Sequence, residues 1–410
     1  MEYIGKFKRI QLYINNQLKS MEEVKAEVGC DLIINGGLFN MANFSPVCCL
    51  KHNGTILVDD GYKYWGYGWN DGSKIDITND MNKYNNYICC VCMVKDGKEE
   101  KMYLASSLKG SRQRTAIGRF SDGRIWVFAQ QSPAMSPEAL QAYAKKIGVQ
   151  DAIMLDGGAS TQCLSEFDLL SSTRIVHNFV CIWFENDKKF NYVFKPITKA
   201  DGWKNAELPS PKGIVLHSTA TPSANATTMQ KAYNKPSVGA SVHAFVDNEG
   251  VVQCLPWRKK AGHIGSGSKG SYNNTHIGIE MCEPSGLTYN GSKSAIVKYN
   301  PPANYFKKTW ENTVNLFAYL CKQFNLNPLD KTVIVSHTEA NKLGYGSNHA
   351  DPEHWIQFEN KTMDDFRHDV DIALKKLNNI IVEEPLVEFS EFSYEHWKAY
   401  MERYLKENAK

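Results

Sequence analysis

The sequence predicts two domains, an α+β domain followed by an α/β domain, and three observations predict it. The chain has 410 residues, too many for one ordinary domain at about 100 to 200 residues each. Up to about residue 185, short runs rich in Val, Ile, Phe and Tyr alternate with glycine-marked turns. Beyond a polar, proline-marked passage, short apolar runs instead alternate with stripes of helical period, the pattern of an α/β domain.

In the first half the turn pairs are Asn53-Gly54, Asp60-Gly61, Asp96-Gly97 and Asp122-Gly123, residues that tolerate the left-handed backbone of tight hairpins. One helix is signalled between Ser136 and Gly148. Ser136 is its N-cap, Pro137 takes the first helical position, Glu138 lies in the first turn and Gly148 closes the end.

After Phe184-Glu185 the pattern breaks into Asn186-Asp187-Lys188-Lys189 and runs polar to Lys212. The expected division is a first domain at 1–188, a linker at 189–211, a second domain at 212–380 and a tail at 381–410. In the second domain, apolar runs at Gly213 to Leu216, Val242 to Val246, Ile277 to Met281 and Thr332 to Val335 read as strands. Trp310, Val314, Phe317, Leu320, Cys321 and Phe324 mark one helix by their three- and four-residue spacing, and Phe366, Val370, Ala373, Leu374 and Leu377 mark another. The tail turns acidic at Glu383-Glu384-Pro385, and Trp397, Met401 and Leu405 would share one side of a short helix.

Composition narrows the function. Hydrophobic residues make up 42% and charged residues 22%, which fits packed cores and excludes a disordered chain. A net charge of +3 is far from that of a dedicated nucleic-acid binder, so no nucleic-acid partner is expected. No run approaches the length of about 18 to 20 apolar residues that spans a bilayer, and Met1 to Lys6 lacks an apolar leader core. The expectation is therefore no membrane insertion, with the protein held in the cytoplasm of its host until something else releases it. Eleven cysteines without paired C-x2-C spacing read as reduced, buried thiols.

In the second half, His217 directly follows Ile214-Val215-Leu216, and His337 follows Val333-Ile334-Val335-Ser336. Each imidazole belongs at a strand end. Asp351 lies fourteen residues past His337 in the polar loop Ser347-Asn348-His349-Ala350-Asp351-Pro352. Two imidazoles and a carboxylate can hold zinc with an open position for water. Glu280, ending Ile277-Gly278-Ile279, is the candidate general base, and His349 the group that steadies an oxyanion.

These residues, with Ser241-Val242-His243-Ala244-Phe245-Val246-Asp247, Ala261-Gly262-His263 and Ser336-His337-Thr338-Glu339, form an ordered series over about 170 residues that resembles the type 2 N-acetylmuramoyl-L-alanine amidases, particularly the branch of phage endolysins and autolysins. The resemblance implies a mixed sheet flanked by helices, and hydrolysis of the amide between N-acetylmuramic acid and the L-alanine of the stem peptide. It makes His217, His337 and Asp351 ligands of one Zn2+, Glu280 the catalytic carboxylate and His349 the transition-state stabiliser. Many relatives carry Lys at that last position, so a pH effect is expected of the histidine. His243 and His263 are expected to line the substrate cleft. Non-catalytic recognition proteins share the fold but often lose a zinc ligand, and none is missing here.

Three motifs stand out in the first half: Asn35-Gly36-Gly37-Leu38-Phe39-Asn40, Arg114-Thr115-Ala116-Ile117-Gly118 and Asp156-Gly157-Gly158-Ala159-Ser160-Thr161. Paired glycines can open backbone amides to an anion, an arginine offers a fork for phosphate, and a strand-end aspartate can serve as nucleophile, acid or base. Singly, Asn-Gly-Gly and Asp-Gly-Gly are also ordinary turn sequences. The ordered trio resembles the phosphodiester glycosidase family over residues 25 to 185, with Leu38 where an aromatic is common and Ala159 where a third glycine is common. The resemblance implies Asp156 as acid/base or nucleophile, Arg114 as phosphate clamp, and Asn35, Gly36, Gly37, Gly157 and Gly158 as substrate contacts.

The expected partners are bacterial peptidoglycan and sugar phosphodiesters of the wall such as teichoic acid. Two other readings stay open: a non-catalytic wall-binding first domain on a single-activity amidase, and a cytosolic amidase that recycles soluble muropeptides.

Overall fold

The computed structural model describes residues 1–61, 64–185, 190–198, 206–291 and 295–378. The tail at 381–410 lies outside them.

The first half is built from three antiparallel sheets. One has the order Glu2–Gly5, Ile125–Met135, Arg112–Arg119, Asp151–Met154, Val91–Lys95, Lys98–Glu99; the second, Leu169–Leu170, Cys163–Ser165, Leu32–Asn35, Asn178–Phe184, Phe7–Ile14; the third, Thr55–Val58, Leu50–His52, Asn86–Cys89, Gly66–Trp69, Asp76–Thr78. Ile10, Leu32, Ile34, Tyr67, Trp69, Ile88, Ile117 and Ile153 meet in one core to which all three contribute. The turn residues act as expected: Asn53 and Gly54 have φ of 48° and 82°, and Asp96 and Gly97 have 50° and 71°. Two successive positive φ values suit the right-handed twist of a two-residue hairpin. The helix Pro137–Lys146 starts from Ser136, whose hydroxyl accepts the Ala139 amide at 3.2 Å, and Gly148 follows its end at φ 83°.

The second half holds a mixed sheet in the order Tyr192–Phe194, Val251–Gln253, Ala244–Val246, His276–Met281, Gly213–Ser218, Ile334–Ser336. The three central strands are parallel to one another, and Ile334–Ser336 joins them in parallel. Burial of both faces explains their unbroken apolar runs. The stripes read from the sequence lie on the helices Tyr305–Phe324 and Met363–Leu377. Phe366 meets the rings of Trp310 and Phe317 edge-on at 5.1 and 4.9 Å, contacts that each contribute about 0.5–1.5 kcal/mol beyond area burial.

Within the stretch read as a linker, Tyr192–Phe194 is an edge strand paired in parallel with Val251–Gln253. Three residues in a polar setting are too few to show a period in the sequence. The halves also meet directly. The Glu166 carbonyl accepts the Trp257 amide at 2.8 Å and the Gln253 side-chain amide at 2.7 Å, while Asp168 pairs with Arg258 at 3.0 Å.

Candidate functional site

The parallel register of the second half brings the predicted residues to one edge of the sheet. His217 is directly opposite Glu280, and Leu216 is opposite Ser336, which caps the helix His337–Leu343. All three strands point their carboxyl ends at this place, where open α/β sheets commonly bind ligands. The Asp351 loop is tied over it by a bond from the Thr338 amide to the Asp351 carbonyl at 3.3 Å.

Nδ1 of His217 lies 3.1 Å from Nδ1 of His337 and 3.0 Å from Oδ2 of Asp351, and Nδ1 of His337 lies 3.3 Å from Oδ1 of Asp351. The donor atoms of all three lie within 4.8 Å of one another. The outward nitrogens are held from behind: Nε2 of His217 by Nδ1 of His263 at 2.9 Å, and Nε2 of His337 by the Ser347 hydroxyl at 3.2 Å. Burial pushes His217 toward its neutral form. Burial alone would raise Asp351 too, but hydrogen bonds from His217 and His337 override it and hold the carboxyl well below its usual range. Two inward imidazole nitrogens and an anionic oxygen, with few protons to share, suit a divalent cation.

Glu280 is buried beside this cluster, and its Oε2 has no hydrogen-bond partner among the described residues. Burial first, then the charges of Asp351 and Glu283, drive its carboxyl pKa well up. A carboxyl left unpaired in a buried place is costly to stability, and perturbed carboxyls of this kind cluster at sites of chemistry. His349 is exposed, stacks on His337 with ring centroids 4.4 Å apart, and has Nδ1 3.7 Å from Asp351.

Two expected cleft residues take other roles. His243 is fully buried: Nε2 bonds to the Lys259 carbonyl at 2.7 Å and Nδ1 accepts the Gly278 amide at 3.0 Å, so neither nitrogen is left for a substrate. His263 spends Nδ1 on His217 and Nε2 on the His276 carbonyl at 3.3 Å. The sequence reading also missed a group behind the loop. Buried Glu283 accepts the Tyr289 hydroxyl at 2.6 Å and contacts Nε2 of His354 at 3.2 Å. Glu283 lies two residues past the strand end at Met281 and three past Glu280, and that spacing was the available signal.

In the first half the Asn35 and Asp156 strand ends do converge. The Asp156 amide bonds to the Gly36 carbonyl at 3.1 Å, and the Asn35 side-chain amide bonds to the Asp156 carbonyl at 2.8 Å. Asn35 is fully buried, and its Oδ1 accepts the Thr115 hydroxyl at 2.7 Å and the Gln162 amide at 3.2 Å. It clamps two strand ends and has nothing left for a sugar. Arg114 is likewise no phosphate clamp: it is 1% exposed, and its guanidinium donates to the carbonyls of Met135, Leu108 and Gly110.

The glycine amides are engaged too. Gly36 bonds to the Asn178 carbonyl at 2.8 Å, Gly37 to the Asn178 side chain at 2.9 Å, and Gly157 to Oδ1 of Asp156 at 2.9 Å. Close packing explains two of these glycines: a Cβ at Gly36 would come within 1.8 Å of Asn178 and one at Gly157 within 2.7 Å of the Gln113 carbonyl. Gly158 serves the turn with φ of 60°.

What remains available is Asp156, half-buried, with Ser160 and Arg174 beside it. Nη1 of Arg174 bonds to the Ser160 hydroxyl at 3.3 Å. Burial lifts the Asp156 carboxyl above its usual range, although the Ser160 hydroxyl, the Gly157 amide and Arg174 pull the other way. Arg174 stands outside the three motifs, in Ser171-Ser172-Thr173-Arg174, and only the fold brings it to Asp156.

Residues 207–354 match the family profile described as N-acetylmuramoyl-L-alanine amidase, and residues 28–183 match the one described as phosphodiester glycosidase. Among curated relatives, the N-acetylmuramoyl-L-alanine amidase BlyA of Bacillus subtilis is 28% identical over 161 residues, covering 38% of this chain and 41% of the relative. CwlH of the same organism, another N-acetylmuramoyl-L-alanine amidase, is 36% identical over 76 residues, covering 18% and 30%. The chain spans less than half the length of these relatives. Among solved structures, the hydrolase AmiA of Staphylococcus aureus shares 18% identity over 47% of this chain and 87% of its own, with a TM-score of 0.38. The catalytic domain of zebrafish N-acetylglucosamine-1-phosphodiester alpha-N-acetylglucosaminidase shares 17% over 43% and 73%, with a TM-score of 0.35.

Proposed function

We propose that the second domain hydrolyses the amide between N-acetylmuramic acid and L-alanine in peptidoglycan, with zinc held by His217, His337 and Asp351. One observation carries this reading: three atoms able to ligate a metal, all within 4.8 Å of one another, stand beside a buried carboxylate oxygen that has no partner among the described residues. The family match over residues 207–354 supports it. When bound, zinc supplies a Lewis acid that lowers the pKa of water and polarises a carbonyl. Glu280 takes the proton of the attacking water and passes it to the departing amine; its Oε2, buried and without a hydrogen-bond partner among the described residues, is free to carry that proton. His349, at the rim and shifted toward its neutral form by partial desolvation and by His337, donates a hydrogen bond to the developing oxyanion.

The first domain, on this proposal, acts on a sugar phosphodiester of the wall such as teichoic acid. Asp156 is its proton donor and Arg174 its cationic contact, and the two domains together make a lysis enzyme of the endolysin type. A specific observation favours a second reading, in which the first domain only binds the wall and raises the local concentration of the amidase. Arg114, Asn35 and the amides of Gly36 and Gly37 are all spent within the fold.

Mass spectrometry of digested Gram-positive sacculi tests both halves. The amidase reading requires released stem peptides with new L-alanine amino termini, and their loss when a chelator is added. The glycosidase reading requires free sugar from purified teichoic acid; wall binding without sugar release would leave the second reading standing.

A further inference from the structure

Four cysteines gather where the third sheet of the first half approaches the Asp156 loop, and the proposed chemistry uses none of them. Leu50 pairs with Ile88 and Lys51 with Tyr87. The Cys89 amide carries this ladder on to the Cys49 carbonyl at 3.3 Å. One further step in the same register sets Cys48 opposite Cys90, just beyond the ends of the strands Leu50–His52 and Asn86–Cys89. Cys48 packs against the small cluster that holds Cys49 and Cys89, on the same side as Cys90. The next residue, Val91, pairs with Met154, two positions before Asp156.

The neighbours differ in what they are free to do. Cys49 is buried with its thiol 3.0 Å from the Asp60 carboxylate, and Cys89 stands inside the ladder. Cys48 is half-buried and is the member of the cluster that solvent reaches, whereas Cys90 is buried behind it. Cys90 is the single residue between the strands Asn86–Cys89 and Val91–Lys95, and residues facing each other across an antiparallel pair have Cα atoms about 4.5–5.5 Å apart, within the range of about 4.4–6.8 Å that a disulfide needs.

We propose that Cys48 and Cys90 are a redox-modifiable pair, which a low-molecular-weight disulfide converts into an intramolecular disulfide next to the Asp156 loop. The Cys48 thiolate attacks one sulfur of the small disulfide, forming a mixed disulfide and releasing one small thiolate. The Cys90 thiol, losing its proton to solvent, attacks the Cys48 sulfur, closes the Cys48–Cys90 bond and releases the second small thiolate. Two protein thiols are thereby oxidised by two electrons, and one small disulfide is reduced to two thiols. The neighbouring Cys89 and Cys90 thiols favour the first step by pushing the Cys48 thiol below its usual range. The second step is set by position, because the register already faces Cys90 with the Cys48 sulfur that carries the mixed disulfide.

The test uses the reduced full-length protein, exposed to oxidised glutathione, then denatured, alkylated and digested without reduction. Mass spectrometry should find a peptide pair joining Cys48 to Cys90 at a mass lower by two hydrogens, with the other cysteines alkylated. Cys90→Ser should stop at glutathione on Cys48, and Cys48→Ser should yield neither product. The proposal is overturned by full alkylation of all eleven cysteines after exposure, by a Cys49–Cys89 link in its place, or by glutathione held on Cys48 of the parent protein without ring closure. None of these outcomes depends on what the Asp156 site does.

Discussion

Nε2 of His217 lies 2.9 Å from Nδ1 of His263, so that His217 turns its other nitrogen toward His337 and Asp351. A partner of this kind fixes the tautomer and aim of a metal-ligating imidazole. His263 is in turn seated over Gly278, where a Cβ would fall 2.3 Å from its ring.

Replacing His263 with Ala should therefore weaken zinc binding by about 10- to 100-fold without removing a ligand. Competition against a chelating indicator measures this directly, with circular dichroism to verify folding. Affinity equal to that of the parent would reduce His263 to a packing residue.

Glu280→Gln separates chemistry from metal binding. The amide fills the same buried volume but cannot carry the proton, so turnover should fall to background while zinc content stays at the parental level. Because the native carboxyl is already pushed toward its neutral form, the variant should melt no lower than the parent. Undiminished activity on sacculi would remove Glu280 from the mechanism.

Much of the second domain was legible because its chemistry sits at strand ends. His217, Glu280 and His337 each terminate an apolar run, and a parallel register then forces them together. His243 shows the limit of that logic. It lies beside an apolar run as His217 does, yet its nitrogens serve main-chain groups on neighbouring segments, and sequence does not record which way a buried imidazole faces. Arg114 and Asn35 mislead for a related reason: a polar side chain at a loop is read as a ligand group, whereas here each satisfies buried backbone atoms. Arg174 reaches the Asp156 loop through a turn at 171–174 that belongs to no motif. The strand Tyr192–Phe194 was too short to declare itself.

His243 should set an acid limit on stability. Burial pushes its pKa down to about 4, against the bond that Nε2 donates to the Lys259 carbonyl, which raises it. The unfolded histidine titrates near 6.5, so the folded protein resists a proton that the unfolded chain accepts. The stabilisation is complete above about pH 6.5 and is lost as pH falls toward about 4, at up to about 1.4 kcal/mol per pH unit. Urea unfolding between pH 7 and 4.5 should show a fall in stability that His243→Gln reduces. Equal slopes in parent and variant would assign the acid sensitivity to other groups.

Asp156 offers the opposite sign. Burial raises its folded pKa above the unfolded value of about 3.9, so its contribution to stability is complete below that value and is lost as pH rises through the raised pKa. Asp156→Asn removes the ionisation and should be at least as stable as the parent at neutral pH. If Asp156 is a proton donor, sugar release from teichoic acid should also decline on that rising limb, and the asparagine variant should release none while its amidase activity on sacculi persists. Asn35→Ala acts differently, because it leaves the Thr115 hydroxyl, the Gln162 amide and the Asp156 carbonyl without their partner. Each unsatisfied group costs about 1–3 kcal/mol, so thermal melting should show a large loss of stability in the alanine variant and none in Asp156→Asn. A stable, fully folded Asn35→Ala protein that had lost only sugar release would restore Asn35 to substrate binding.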